Sequence, residues 1–137
     1  MSVALIIVSH SELLARGVVE LAGQMTGSGV PLYAVGGTDD GLLGTSAPRI
    51  SQAVQDALGQ GHDALILLDL GSAAMNAALA LEWLTPEQRA RVQIADAPLV
   101  EGAVLAAVAS LGDSPLAEVA QEAASARDMP KRLTDSA

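Results

Sequence analysis

Apolar residues along this chain follow two different spacings, and each spacing predicts a different element. Residues 3–8 form an uninterrupted apolar run, which is typical of a strand buried on both faces of a parallel sheet. Residues 11–25 then carry apolar side chains at helical spacing, with charged and amide side chains opposite. This second pattern predicts an amphipathic helix that Ser11 caps and that ends near Gly27.

The rest of the chain repeats this alternation. Strands are predicted at 30–35, 63–68 and 92–95, and helices near 50–58 and at 73–84, 100–111 and 116–124, with a short turn that begins at Thr85. Strands that alternate with helices build an open parallel sheet with helices on both faces, and right-handed crossovers leave few strand orders. We predict a single α/β domain over residues 1–125 with the order 2-1-3-4, and a flexible C-terminal tail over 126–137.

Two of the predicted helices are apolar on almost every side. Residues 73–81 and 104–109 consist almost entirely of Ala, Leu, Val and Met. Such helices are stable either within a large core or against a second subunit. A chain of 137 residues offers little room to bury both, so we expect a homodimer.

Composition narrows the classes of function. The chain has 16 acidic and 7 basic residues, a formal charge of -9 that repels phosphate backbones, and we expect no nucleic-acid partner. It has no cysteine, which excludes disulfides and thiol chemistry and removes the usual ligands of structural zinc. No apolar stretch reaches the roughly 18 residues of a membrane span, and the start of the chain lacks the basic residues of a signal peptide. We therefore expect a cytoplasmic protein that does not insert into a membrane.

The candidate chemistry lies where the first and third strands end. The first strand is followed by His10, and the third is followed by Asp69. Neighbouring parallel strands end at the same edge of a sheet, where open α/β sheets bind their ligands. A carboxylate bonded to one ring N–H fixes the imidazole tautomer and leaves the other nitrogen free to attack. We expect Asp69 to orient His10, and His10 to act as a nucleophile that carries phosphate.

A phosphoryl group on His10 needs hydrogen-bond donors around its oxygens. A helix N-terminus supplies unpaired N–H groups and a partial positive charge. The candidate donors are the main-chain N–H groups of Gly71, Ser72 and Ala73 and the hydroxyls of Ser9, Ser11 and Ser72. The glycine-rich loop at 36–41 is a weaker signal, because it lacks the spacing and the lysine of a nucleotide-binding loop.

Other mechanisms fit the residues less well. A receiver domain needs clustered acids after its first strand, a dinucleotide site needs three glycines there, and a serine hydrolase needs a second histidine at the same edge. The chain's other histidine, His62, precedes the third strand and is interpreted as a loop residue. Asp39, Asp40, Asp96 and Glu101 lie in loops or at a helix start, where carboxylates are more often solvated than metal-bound. We predict neither a metal site nor a cofactor.

Four segments in this order carry a resemblance to a known family. They are Val8-Ser-His-Ser11, Gly36-Gly-Thr-Asp-Asp-Gly41 with Gly44-Thr-Ser46, Leu68-Asp-Leu-Gly-Ser-Ala73 with Met75-Asn76, and Asp96-Ala-Pro-Leu-Val-Glu-Gly102. Together they resemble the mannose-type IIA family of the phosphoenolpyruvate–sugar phosphotransferase system, and within it the phosphocarrier subunits of dihydroxyacetone kinases. The likeness covers about residues 3–120.

The resemblance implies a phosphohistidine carrier. In such a carrier His10 would become a tele-phosphohistidine, Asp69 would orient it, and Thr38, Gly71 and Ser72 would contact the phosphate. The phosphoryl group would come from the phosphocarrier protein HPr and pass to ADP bound on the kinase L subunit. The resulting ATP would then phosphorylate dihydroxyacetone on the K subunit. A homodimeric cytoplasmic protein with a mannose-IIA-like sheet is also implied.

Two alternatives stay open at this point. One is a IIA component of a mannose-family sugar permease, which hands phosphate to a IIB protein, and the other is a regulatory module that transfers nothing. Sugar-transporting relatives tend to have a proline after the Gly-Ser pair and an additional C-terminal strand. Here Ala73 follows that pair and no such strand is evident, which favours the dihydroxyacetone kinase branch.

Overall fold

Strands form at all four predicted places and pair in parallel. The computed structural model describes residues 2–133 and contains β1 (Ala4–Ser9), β2 (Leu32–Gly36), β3 (Ala64–Leu68) and β4 (Val92–Ile94). Their order is β2-β1-β3-β4, as predicted. In the central strand β1, Val8 lies opposite both Val35 and Leu68. The ends of β1 and β3 are therefore adjacent at the carboxyl edge of the sheet.

Helices cover both faces of this sheet. They are α1 (Glu12–Thr26), α2 (Ala47–Gly59), α3 (Ala73–Glu82), α4 (Pro86–Arg89), α5 (Leu99–Leu111) and α6 (Leu116–Ser125). Successive side chains of β1 point to opposite faces, so Leu5 and Ile7 pack in the core with α1, α5 and α6. Ile6 and Val8 pack in a second core with α2 and α3. This arrangement explains why the run at 3–8 is apolar without alternation.

The ends of α1 are set by the residues that the sequence indicated. The Ser11 side chain accepts a hydrogen bond from the Leu14 N–H at 3.2 Å. At the other end Gly27 has φ 57 and its N–H donates to the Gly23 carbonyl. A left-handed conformation at this position favours glycine and stops the helix. Both predicted ends of α1 are confirmed.

The two apolar helices differ in how they are covered. α5 is sandwiched between α1 and α6 and lies on the sheet, with Ala103, Ala106 and Ala107 fully buried. The argument that both apolar helices need a second subunit is thus corrected, because α6 covers α5 within the chain. α3 keeps an exposed apolar side, on which Met75 is 81% exposed and Trp83, just after the helix, is 50% exposed. Within residues 2–133, none of the helices has both the length and the hydropathy that a membrane crossing requires.

The segment after α6 begins with ordered contacts. A turn of 3₁₀ helix spans Ala126–Asp128, and Ala126 is buried. Arg127 then pairs with Asp96, and Lys131 pairs with Glu101 near the start of α5. These contacts lie in the first residues of the segment 126–137, which the sequence predicted to be a flexible tail. Residues 134–137 of that predicted tail lie outside the described residues.

Candidate functional site

His10 lies between the end of β1 and the start of α1, and two side chains hold its ring. Nδ1 is 3.0 Å from Asp69 Oδ1, and Nε2 is 3.0 Å from the Ser72 hydroxyl. The imidazole side chain remains 28% exposed. The predicted meeting of His10 and Asp69 across neighbouring strand ends is confirmed.

Asp69 accepts four hydrogen bonds and is almost buried. Its Oδ2 accepts from the Ser9 hydroxyl and from the His10 backbone N–H, each at 2.9 Å. Its Oδ1 accepts from the Leu70 N–H at 2.7 Å and faces His10 Nδ1. Burial raises the pKa of Asp69, but the hydrogen bonds from His10, Ser9 and Leu70 outweigh burial and hold that pKa below its usual range. The side chain is therefore a carboxylate at neutral pH.

This carboxylate decides which ring nitrogen of His10 is free. An ionised carboxylate only accepts hydrogen bonds, so Nδ1 must carry the proton that it donates to Asp69. Nε2 of the neutral ring then holds a lone pair that points away from Asp69 toward Ser72. The arrangement makes Nε2 the nucleophilic atom.

Ser72 is available for this second contact because it does not cap α3. It occupies the N-cap position with helical φ and ψ values, and its hydroxyl makes no capping hydrogen bond. The hydroxyl instead lies 3.0 Å from His10 Nε2, to which it donates when Nδ1 is protonated. A hydroxyl at this place can turn to donate to a phosphoryl oxygen once Nε2 is occupied.

The other predicted phosphate contacts lie in different surroundings. Ser9 is fully buried, with its hydroxyl between Asp69 and the Ser11 N–H. The Ser11 hydroxyl caps α1, and the Thr38 hydroxyl accepts from Leu42 N–H at 3.1 Å in its own loop. The expectation that Ser9 touches phosphate has no support in this geometry, because its oxygen is enclosed and already hydrogen-bonded on both sides.

Two of the three main-chain N–H groups expected to contact phosphate, those of Gly71 and Ser72, remain candidates after β3. Gly71 is exposed and has open space beside it, since a Cβ built there would meet no atom within 4 Å. The Ala73 N–H, in contrast, donates to the Leu70 carbonyl at 3.0 Å. It is thus committed to the turn that starts α3, and Gly71 and Ser72 remain the candidate main-chain contacts.

Sequence reasoning missed the residues that hold the loop between β2 and α2 against the site. Gly44, with φ 143, donates its N–H to the His10 carbonyl at 2.8 Å. Asn76 on α3 donates to the Thr45 hydroxyl at 2.7 Å, and Arg49 donates to the Gly36 carbonyl at 2.5 Å. The amide of Asn76 within the largely apolar helix α3 was the one local signal in the sequence for its contact with Thr45.

The acidic side chains that were left unassigned do not gather around a cation site. Asp39 accepts a hydrogen bond from the Ser46 hydroxyl, while Asp96 and Glu101 form the ion pairs with the segment after α6. In the stretch from residue 2 to residue 133, no three His, Asp or Glu side chains are grouped as a metal ion would require.

The chain was compared with known families and proteins. Residues 4–120 match the model of the EIIA-man family, described as the fructose IIA component of the phosphotransferase system. The phosphoryl donor subunit DhaM of PEP-dependent dihydroxyacetone kinase 2 from Listeria innocua is 39% identical over 120 residues, which cover 88% of this chain and 95% of that protein. The DhaM subunit of Escherichia coli is 40% identical over 120 residues, but this chain spans only 25% of its length.

Solved structures share the fold of this chain. The crystal structure of protein EF1359 superposes with a TM-score of 0.81 at 34% identity, covering 90% of this chain and 93% of that one. The mannose/sorbose specific IIA subunit of the phosphotransferase system from Enterococcus faecalis is 19% identical, with a TM-score of 0.56 over 98% of both chains, and shares the fold. With the family model matched over residues 4–120, the chain belongs to the EIIA-man family of phosphotransferase-system IIA components.

Proposed function

We propose that this protein is a phosphohistidine carrier in a dihydroxyacetone kinase system, with His10 as the phosphorylated residue. The observation that carries the proposal is the asymmetry of the imidazole. Nδ1 is held by an almost buried carboxylate, while Nε2 faces the Ser72 hydroxyl on an imidazole side chain that is 28% exposed. The product of phosphorylation is then tele-phosphohistidine, substituted at Nε2.

The contacts support a transfer in which no proton has to leave the ring. The Nε2 lone pair attacks phosphorus, and the bond between phosphorus and the donor nitrogen breaks as the new bond forms. The imidazole gains positive charge during this step, and the Asp69 carboxylate balances that charge through the Nδ1 proton. In our proposal the Ser72 hydroxyl and the Gly71–Ser72 backbone donate to the phosphoryl oxygens. Return transfer to an acceptor runs through the same contacts in reverse.

The names of the relatives support a role in a dihydroxyacetone kinase system, and the donor and acceptor that we propose are those that the family resemblance implies. The Listeria protein, which this chain matches over almost its full length, is a phosphoryl donor subunit of a PEP-dependent dihydroxyacetone kinase. In our proposal HPr phosphorylates His10 in the cytoplasm, and His10 passes the phosphoryl group to ADP on the kinase L subunit. The K subunit downstream binds dihydroxyacetone. The protein acts as a phosphotransferase component that carries the group covalently and needs no further cofactor.

The experiment follows the phosphoryl group through the relay. The protein is incubated with phosphoenolpyruvate, enzyme I and HPr, and then with the ADP-loaded L subunit. We expect acid-labile phosphate at His10, followed by formation of ATP. Transfer to a IIB protein in place of ADP would identify a sugar permease component. A protein that takes up no phosphate would contradict the proposal and favour a regulatory module.

A homodimer formed through α3 belongs to the same proposal. Met75, Leu79 and Trp83 leave an apolar surface on one side of this helix, with exposures of 81%, 40% and 50%. Contact with a second copy would remove this surface from water. Sedimentation at micromolar concentration is expected to show a dimer, and the double variant Met75→Glu/Trp83→Glu is expected to be monomeric. A wild-type protein that sediments as a monomer would contradict this part.

A further inference from the structure

Ser9 is a fully buried polar residue at the very end of the central strand. Its hydroxyl donates to Asp69 Oδ2 at 2.9 Å and accepts from the Ser11 N–H at 3.0 Å. The hydroxyl therefore donates one hydrogen bond and accepts another, both within the protein. Ser9 is one residue from His10 in the chain, but its oxygen is directed at the carboxylate behind the imidazole.

The Ser9 contact restrains the rotation of the Asp69 carboxylate. Oδ2 is held by two donors that both come from the end of β1, the Ser9 hydroxyl and the His10 N–H. With Oδ2 fixed in this way, Oδ1 is left facing His10 Nδ1 at 3.0 Å. The N–H donated by Ser11 onto the Ser9 oxygen polarises the hydroxyl and strengthens its own hydrogen bond to the carboxylate.

We propose that Ser9 is a positioning residue for phosphoryl transfer, whose buried hydroxyl fixes Asp69 so that the proton stays on His10 Nδ1 and the lone pair stays on Nε2. Its role in transfer rests on the proposed function, whereas its effect on the imidazole tautomer does not. Ser9 acts through Asp69 and does not touch the phosphoryl group.

A second buried serine provides a matched control. Ser110 on α5 is also fully buried, and its hydroxyl donates to the Val3 carbonyl at 2.6 Å, near the amino end of β1. Ser9→Ala and Ser110→Ala therefore each remove one buried hydroxyl, which makes two hydrogen bonds at Ser9 and one at Ser110. Urea unfolding should show that both variants fold, with the larger loss of stability in Ser9→Ala because it breaks two hydrogen bonds. Only Ser9→Ala alters a group that contacts the histidine.

The first measurement is the tautomer of His10 in the unphosphorylated protein, read from nitrogen-15 chemical shifts. We expect the Nδ1–H tautomer in the wild type and in Ser110→Ala, and a larger share of the Nε2–H tautomer in Ser9→Ala. The wild type also gives a test without any variant, because a Ser9 hydroxyl that is buried and bonded exchanges its proton slowly with water. An unchanged tautomer in Ser9→Ala, or a rapidly exchanging hydroxyl proton, overturns the proposal.

The second measurement is the rate of phosphorylation by phospho-HPr. Ser9→Ala is expected to be slower by about tenfold, by analogy with the lower range for outer hydrogen-bond partners of metal-binding histidines, and Ser110→Ala is expected to match the wild type. In an Asp69→Asn background the Ser9→Ala change should have little further effect, because its route to His10 is already interrupted. An equal loss in both backgrounds overturns the role through Asp69. A wild type that is never phosphorylated defeats the proposed function, while the tautomer still decides the role of Ser9.

Discussion

The two histidines of the chain lie at opposite edges of the sheet and are held in similar ways. His10 Nδ1 is 3.0 Å from the Asp69 carboxylate, and His62 Nδ1 is 2.8 Å from the backbone carbonyl of Ser2. Each oxygen accepts from Nδ1, so each contact favours the same tautomer. The two histidines differ in what surrounds this contact. His10 has a charged partner, a hydroxyl on Nε2 and the N-terminus of α1, whereas the partner of His62 is a neutral backbone oxygen.

We infer from this comparison that an oriented imidazole alone does not suffice for the proposed phosphate carrier. Charge on the partner oxygen balances the ring when it becomes positively charged, and a neutral carbonyl cannot do the same. The helix N-terminus adds a partial positive charge that favours the phosphoryl anion. The carboxyl edge of the sheet supplies both features at His10, because two strand ends and a helix start meet there.

The largest expected effect separates the two histidines outright. His10→Ala is expected to accept no phosphoryl group from phospho-HPr and to fold normally, because the imidazole is at the surface edge of the sheet. His62→Ala is expected to be phosphorylated at the wild-type rate. Acid-labile incorporation of labelled phosphate measures both variants. Phosphate in the His10→Ala protein, or no phosphate in the His62→Ala protein, would contradict the assignment of His10 as the phosphorylated residue.

The next prediction concerns a substitution that makes the partner of His10 neutral, like the partner of His62. Asp69→Asn keeps an oxygen beside Nδ1 but removes its negative charge. We expect phosphorylation to slow by about a hundredfold, by analogy with the upper range for outer partners of metal-binding histidines, because the charged ring in the transition state loses its counter-charge. Samples of the reaction with phospho-HPr that are quenched at successive times give the rate, and sedimentation checks that the oligomeric state is unchanged. A rate equal to that of the wild type would show that orientation alone suffices.

The sequence predicted the partnership of His10 and Asp69 because it depends on topology. Uninterrupted apolar runs identified β1 and β3 as buried parallel strands, and the strand order then put their carboxyl ends side by side. This inference needed no side-chain detail, since the polar residue that follows a strand must lie at the edge of the sheet. The same reasoning placed His62 at the opposite edge.

Contacts that depend on packing between distant segments were not predictable in this way. Strand periodicity does not tell whether Ser9, the last residue of β1, is covered by neighbouring loops, so its hydroxyl was assigned to phosphate instead of Asp69. The contact from Asn76 to Thr45 joins segments 31 residues apart, and the burial of α5 depends on where α6 packs. Each of these required the folded arrangement.

A smaller effect concerns Nε2 of the ring. The Ser72 hydroxyl contacts Nε2 of His10, whereas the described contacts of His62 include no serine hydroxyl at Nε2. Ser72→Ala removes one neutral hydrogen bond, worth about 1 kcal/mol. We expect phosphorylation to slow by about fivefold, the rate equivalent of that energy. Hydrolysis of the phosphorylated protein should quicken by a similar factor, because the phosphoryl group loses a donor. Equal lifetimes of the phosphorylated wild-type and variant proteins would argue against this donor role.

The smallest effect is on stability and depends on pH. The hydrogen bonds that Asp69 accepts lower its pKa in the folded protein. The carboxylate therefore stabilises the fold above the ordinary pKa of an aspartate, and this contribution is lost as pH falls through the pKa of Asp69 in the folded protein. Asp69→Asn has no such group. At neutral pH we expect the wild type to exceed the variant in free energy of unfolding by about 1 kcal/mol. The difference should shrink as pH falls below about 4, where an unfolded aspartate takes up its proton. Urea unfolding of both proteins across this range measures it, with His62→Ala as the control that keeps the wild-type profile in acid. A difference that widened as pH fell below about 4 would mean that Asp69 is protonated more readily in the folded state than in the unfolded chain, and the counter-charge assigned to His10 would be lost with it.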